Sequence, residues 1–249
     1  AAGEIGLDFL ARVFDAESLE FYTGLGPEYI KIASCDVTHL ELIEAAAMTG
    51  IPVLLSTGMA TATEIERAVE TVQGYHDDLV LLHCVSSYPL PVEEANLAAI
   101  QTLRRRFETP VGYSDHTTAV ETAGWAVMLG ARVIEKHFTL DRTAPGPDQA
   151  LSLDPDGFAT MVSQVRAAAA SRGEGEVAVA EAERESRHAM RRGLRARSTI
   201  APGASIERED LKITRPAEGL PADALWDVVG RVAVREIDAN EPLVWDDID

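Results

Sequence analysis

The stretch PVLLSTGMATATEIERAVETV, residues 52–72, carries one complete repeat of the fold. Val53, Leu54 and Leu55 form a short, continuous apolar run, as expected of a strand covered on both faces. Ser56-Thr57-Gly58 interrupts it. Thr61 and Glu64 then make a Thr-x-x-Glu capping box, in which the two side chains satisfy backbone donors at a helix start. Behind that box Ile65, Ala68, Val69 and Val72 fall at i, i+3, i+4 and i+7, one apolar helical face. The spacing predicts a strand, a polar loop and an amphipathic helix, which together are a βα unit.

Five other apolar runs share this rhythm: LDFLARVF (7–14), EYIKIAS (28–34), LVLLHCV (79–85), PVGYSD (110–115) and RVIEKHF (132–138). Helix-like segments separate most of them, which indicates a parallel sheet. Thr38–Glu41 and Thr118–Glu121 repeat the capping-box pattern. A later helix is predicted to start near Asp154-Pro155, with Phe158, Met161, Val162 and Val165 facing inward. Polar residues gather where the runs stop: Ser34, Ser56 to Gly58, His83 to Tyr88, Ser114 to His116, and His137. In parallel α/β folds those strand ends form the active-site face. A barrel brings all six clusters to one mouth better than an open sheet does, so the expected fold class is α/β, a TIM-type (β/α) barrel.

The chain has 249 residues, 46% of them hydrophobic, enough to bury a sizeable core. Its formal net charge is -19, with lysine only at Lys31, Lys136 and Lys212. Such a surface repels nucleic acid and anionic lipid, so neither is expected as a partner. No apolar run approaches the roughly 20 residues needed to span a bilayer. The opening residues carry Glu4 and Asp8 and lack the basic start of a signal peptide. Cys35 and Cys84 make no disulfide framework and are read as buried thiols, so a reducing cytoplasm is the default location.

From about Ser171 the pattern changes. SRGEGEVAVAEAERESRHAMRR is polar and reads as a linker containing a short helix. Beyond it, Ile200, Gly203, Ile206, Asp210 and Leu211 match Ile237, Asn240, Leu243, Asp247 and Ile248 in order and spacing. Two such copies predict a small β-rich domain with pseudo-twofold symmetry. The expected domains are 1–172 for the barrel, 173–190 for the linker and 191–249 for the small domain.

The segments KIAS (31–34), LLSTGM (54–59), LLHCVSSYPLP (81–91), GYSDHT (112–117), EKHFTLD (135–141), GPDQALSLDP (146–155) and TRPAEGLP (214–221) resemble the sialic acid synthases. That family includes the pseudaminic, legionaminic and spore-coat polysaccharide relatives. The resemblance implies a (β/α)8 barrel followed by an antifreeze-like (SAF, β-clip) domain. It places Leu7–Phe14 at the third strand, so the barrel is expected to lack its first two βα units, as in a piece of a longer parent.

What the resemblance implies about the site can be set beside what the residues themselves can do. His116 and His137 end neighbouring predicted strands and could meet at one cation, and imidazole suits Mn²⁺, with Mg²⁺ or Co²⁺ as alternatives. The family implies that this metal polarises a sugar aldehyde. Lys31, with the short hydroxyls of Ser34, Ser56 and Ser114, is a sensible cradle for phosphate and carboxylate, and the resemblance places it where the family contacts phosphoenolpyruvate. Ser86 stands where some relatives carry Asn. Tyr88 and Asp148 match sugar-proximal positions, and Gln149 replaces a His found in many relatives. Glu135 shares strand parity with His137 and could orient the metal or a water. Arg215 matches an arginine that reaches the N-acetylated sugar of a partner subunit, which implies a domain-swapped homodimer. The expected reaction condenses phosphoenolpyruvate with an N-acetylated hexosamine of the N-acetylmannosamine type. A pseudaminic, legionaminic or spore-coat sugar synthase is the alternative. A truncated, non-catalytic homologue acting as a binding module is the reading from a different class.

Overall fold

The computed structural model describes residues 3–249, which divide into two compact units, 1–175 and 176–249. In the first unit the elements alternate as the 52–72 repeat predicts: α1 (Ala16–Thr23), β1 (Ile30–Ile32), α2 (Leu40–Met48), β2 (Val53–Ser56), α3 (Ala62–Gln73), β3 (Leu79–Cys84), α4 (Ala99–Phe107), β4 (Val111–Asp115), α5 (Thr122–Met128), β5 (Ile134–Lys136) and α6 (Pro155–Arg172). The five strands form one parallel sheet in sequence order, β1-β2-β3-β4-β5.

Strand parity separates packing from chemistry. Ile30, Ile32, Val53, Leu55, Leu79, Leu81, Val111 and Tyr113 face the helices. There they meet Leu42 and Ile43 of α2, Ile65 and Val69 of α3, and Ile100 and Phe107 of α4 in one core. Register puts Lys31 opposite Leu54, Ser56 opposite Leu82, Cys84 opposite Ser114, and Ser114 opposite Glu135 on the other face.

That face is concave. Neighbouring strands lie about 4.8 Å apart, so β1 and β5 would be separated by roughly 19 Å in a flat sheet. Yet Lys31 Nζ of β1 lies 3.5 Å from Glu135 Oε2 of β5. Two side chains cannot span the flat distance, so the sheet is curled into part of a barrel.

Several local expectations are met. Thr61 accepts from Glu64 N while Glu64 accepts from Thr61 N, a complete capping box. Asp154 caps α6 through Gly157 N, and Met161, Phe158, Val162 and Val165 pack inward from it.

Others are not. Thr38 and Thr118 cap nothing: α2 starts at Leu40 after His39, and α5 starts at Thr122 after Glu121, neither with a side-chain cap. At the start of α5, Thr122 Oγ1 donates to Asp115 and pairs with Thr117 Oγ1 in a buried network. The run LDFLARVF makes only the single bridge Arg12–Lys31 instead of a strand. Of its apolar residues Val13 is buried in the core and Ala11 packs against it, while Leu7, Phe9, Leu10 and Phe14 stay exposed.

The second unit contains α7 (Arg184–Met190), the antiparallel pair β6 (Gly193–Ala196) and β7 (Leu211–Thr214), and the one-turn α8 (Leu225–Val228). The predicted repeat is visible in its backbone. Ile200 and Ile237 pair as an isolated bridge, and Ile206 and Leu243 are fully buried. Gly203 (φ 78°) and Asn240 (φ 71°) both adopt the left-handed conformation. Asp210 and Asp247 each accept the backbone N–H of the residue three before, Glu207 and Val244, at 2.9 Å.

Candidate active site

The concave face opens into a cavity of ≈ 490 Å³ at the C-terminal ends of the strands. Lys31, Ser34, Ser56, Ser86, Tyr88, Ser114, His116, Glu135, His137 and Asp148 all line it. Arg215 belongs to the second unit, where its side chain is exposed.

One wall is a charged relay. Lys31 is buried, donates to Ser56 Oγ at 2.8 Å and to its neighbour's carbonyl (Ile32) at 3.2 Å, and reaches Glu135 Oε2. Ser114 Oγ donates to Glu135 Oε1 at 2.6 Å. One carboxylate is therefore held between an ammonium and a hydroxyl, and each carries further capacity toward the cavity. Ser34 Oγ accepts Gly58 N at 3.0 Å. Gly58 has to be small: a Cβ there would run into Ser86 Oγ, and would lie 2.9 Å from Ser34 Oγ and 3.0 Å from Cys84 Sγ.

The opposite wall is aromatic. The rings of His116 and His137 lie 5.4 Å apart, and Tyr88 packs 4.1 Å from the first and 5.8 Å from the second. His116 Nδ1 is 2.8 Å from the Val85 carbonyl. A carbonyl can only accept, so Nδ1 carries the proton and neutral His116 keeps its Nε2 lone pair free. His137 Nδ1 lies 3.8 Å from Asp148 Oδ2. Burial opposes charge on His116, but hydrogen bonds with Cys84 and the Val85 carbonyl outweigh it and raise its pKa. His137 is lowered by burial, reinforced by the neighbouring His116.

The implied metal can be tested against this donor set. Two imidazoles lie side by side in an edge-to-face arrangement, and the tautomer of one is fixed by a backbone carbonyl, the usual support of a metal-bound histidine. Among the described residues no third His, Cys, Asp or Glu joins them in a metal-holding cluster. The residues fit an ion held at two positions, with the others left to water or substrate oxygen, which suits Mn²⁺-type chemistry.

The cavity also contains residues that sequence reasoning passed over. Arg12 lines it, its guanidinium 4.1 Å from the Phe14 ring centroid and 3.6 Å from Asp36 Oδ2. An arginine inside the apolar run LDFLARVF was the available signal. Both cysteines line the cavity too, and Cys35, expected to be buried, is exposed. Cys84 Sγ lies 3.7 Å from His116 Nδ1, and its pKa is lowered: burial pushes it up, but bonds from His116 and Ser34 prevail.

Residues 1–177 match the NeuB family and residues 191–249 the SAF domain. The N,N'-diacetyllegionaminic acid synthase of Legionella pneumophila is 37% identical over 100% of this chain and 71% of its own length. The pseudaminic acid synthase of Helicobacter pylori is 35% identical over 100% of this chain and 73% of its own. Among solved structures, the N-acetylneuraminic acid synthetase of Leptospira borgpetersenii aligns at TM-score 0.71 with 42% identity, over 74% of this chain and 65% of that one. The spore coat polysaccharide biosynthesis protein SpsE of Bacillus subtilis aligns at TM-score 0.67 with 31% identity, over 100% of this chain and 75% of that one. The chain thus spans about two thirds to three quarters of these relatives' lengths.

Proposed function

The chain belongs to the NeuB family, and from that premise we propose that it is a nonulosonic-acid synthase condensing phosphoenolpyruvate with an N-acetylated hexosamine. The observation that carries this reading is the meeting, in one cavity, of the Lys31–Glu135 contact and the His116–His137 pair.

In this reading Lys31 binds the anionic end of phosphoenolpyruvate, and Ser34, Ser56, Ser86 and Ser114 supply short donors around it. Tyr88 and Asp148 border the sugar. His116 and His137 would hold a divalent ion, Mn²⁺ first and Mg²⁺ or Co²⁺ next, which when bound supplies Lewis-acid polarisation of the sugar aldehyde. C3 of phosphoenolpyruvate forms the new bond to the aldehyde carbon as its C2–C3 double bond opens, and the aldehyde oxygen becomes a hydroxyl with the proton that water gives up on adding at C2. Water adds at C2, and Glu135, held by Lys31 and Ser114, takes its proton. The C–O bond to phosphate then breaks as the C2 hydroxyl becomes the keto group. Fixed charge on Lys31 offsets the charge that moves along this path.

We read the curled sheet as a (β/α) barrel less its first two βα units, followed by the SAF domain. The boundaries we assign are 1–172, 173–190 and 191–249. Arg215 is taken to reach the N-acetylated sugar of a partner subunit in a homodimer. Among the described residues no helix is long and apolar enough to cross a membrane. With thiols that stay unpaired, we assign the protein to the cytoplasm.

The test is phosphate release from phosphoenolpyruvate across N-acetylmannosamine and its deoxy-diacetamido analogues. Release should require sugar and divalent ion together and fall at least about 100-fold in His116→Ala, as expected when a metal ligand is lost. The legionaminic and pseudaminic relatives favour the diacetamido sugars. Undiminished turnover after His116→Ala would refute the assignment of the metal, and binding of both substrates without release would leave only a binding module.

A further inference from the structure

Two charges lie just behind the imidazoles, on the face of the sheet that does not line the cavity. Lys136 Nζ is 2.8 Å from Asp115 Oδ2, and the two side chains are 1% and 0% exposed. The ammonium has three donors, and the other two go to the carbonyls of Thr117 at 2.6 Å and Ala119 at 3.1 Å. Asp115 is equally well served. Its Oδ1 accepts Tyr113 OH at 3.2 Å and Thr117 N at 2.8 Å, and its Oδ2 also accepts Thr122 Oγ1 at 2.6 Å.

The placement is what matters. Asp115 immediately precedes His116, and Lys136 immediately precedes His137. Asp115 and Lys136 are direct register partners of β4 and β5. One rung earlier, on the cavity side, Ser114 and Glu135 are joined at 2.6 Å. The strands are therefore stapled on alternate faces at the last two rungs before the histidines. Lys136 also holds the loop after His116 through Thr117 and Ala119, so that ring is fixed from both sides.

This staple has work that backbone pairing alone cannot do. β5 is three residues long, half-buried, and paired only with β4 within the sheet. A fully desolvated charge pair cannot slide without leaving charge unpaired in a low dielectric, so its geometry is stiff. An apolar pair of the same size would pack but would not fix the spacing.

We propose that Asp115 and Lys136 are positioning residues whose buried ion pair sets the separation and aim of His116 and His137, and thereby the affinity of that pair for a divalent cation. The purpose, though not the geometry, rests on the metal reading given above.

The test compares the parent with Asp115→Asn/Lys136→Met, which removes both charges together while the Asn oxygen can still accept from Tyr113 and Thr117 and its amide N–H can donate to Thr122 Oγ1. Two readouts are independent of turnover. In the metal-free crystal structure, the His116–His137 centroid separation should leave 5.4 Å by more than the ~0.5 Å a working site tolerates. Mn²⁺ affinity, followed by the paramagnetic resonance of the free ion, should weaken about ten- to a hundredfold, the usual effect of losing outer-shell support. A folded variant with unchanged ring separation and Mn²⁺ affinity within about twofold of the parent, well short of that range, overturns the proposal. If the double variant does not fold, Lys136→Arg decides: it retains the charge but alters its reach, and parent-like Mn²⁺ binding there also overturns the proposal. A parent that binds no Mn²⁺, Mg²⁺ or Co²⁺ refutes the metal reading, while the ring separation in the metal-free variant still decides the clamp.

Discussion

Lys31 and Glu135 lie on the two end strands of the five-stranded sheet, and their charged atoms are 3.5 Å apart across its hollow. The carboxylate thus occupies one side of the ammonium that an anionic substrate would use. In the proposed reaction the substrate shares Lys31 with Glu135, and the two residues should separate in kinetics. Glu135→Gln removes a like charge from beside the incoming anion, so KM for phosphoenolpyruvate should stay level or fall while kcat drops. Lys31→Met should raise that KM at least about tenfold, the scale of one lost charge-assisted contact. Steady-state kinetics decide this, and a raised KM in Glu135→Gln would contradict it. Because the Glu135 side chain is 40% exposed, Glu135→Gln should alter stability by no more than ~1 kcal/mol.

Two glycines face the hollow and should respond differently to alanine. At Gly58 the clash is with movable side-chain ends, Ser86, Ser34 and Cys84. At Gly112 a Cβ would sit 2.5 Å from the Val133 backbone oxygen as well as 2.5 Å from Leu82 Cδ2. Backbone cannot step aside, so Gly112→Ala should cost toward the upper end of the ~1–3 kcal/mol of overpacking, and Gly58→Ala toward the lower. Urea unfolding gives the order, and Gly58→Ala should lose activity out of proportion to stability.

His83 predicts a pH dependence. It is buried on the helix side of β3, stacks on Tyr113 at 5.8 Å, and pairs with the Ala95 carbonyl at 2.9 Å. Burial lowers its pKa from 6.5 despite that carbonyl. The unfolded chain therefore binds the proton more readily than the folded one, and stability rises with pH in this window. The contribution is complete above 6.5, the unfolded value, and declines as the pH falls through it toward the lower folded value. His83→Gln should flatten the unfolding free energy between about pH 5 and 7, the range flanking an ordinary histidine pKa. An unchanged slope would mean that His83 binds its proton equally well in both states.

Gly203 isolates a purely conformational cost. Its φ is 78° and a Cβ there would meet nothing within 4 Å. Gly203→Ala should therefore destabilise the second unit by ~1–2 kcal/mol through the left-handed backbone alone. A calorimetric melt of the whole chain would show this as a drop in the transition of residues 176–249.

The chain itself revealed most of this arrangement where local rules and tertiary structure agree. The 52–72 repeat folds as its periodicity requires, because Thr61, Glu64 and the apolar face behind them need no distant partner. The Ile200 and Ile237 copies were legible for a similar reason, since left-handed turns favour Gly or Asn, which stand at 203 and 240. Legibility ended where distant groups compete for a side chain. The Thr118–Glu121 pattern caps no helix: α5 begins at Thr122, whose hydroxyl donates to Asp115 back in β4. Arg12 and Cys35 enter the cavity because of how the sheet curls, which no window of residues reports. For the candidate site, the polar clusters at run ends were readable, but the Lys31–Glu135 contact joins residues 104 positions apart in sequence.

The alternation along the final rungs of β4 and β5 has a consequence for mutation. Side-chain direction reverses with every residue of a strand, so sliding one of these strands by a single position would exchange its two faces. Lys136 would then intrude among the reacting groups, and Glu135 and His137 would be driven under the helices without partners. Single-residue insertions or deletions within 111–115 or 134–136 should therefore be far more damaging than those of the same size in the exposed stretch 173–180. Ser114 with Glu135 and Asp115 with Lys136 thus keep the two strands in step.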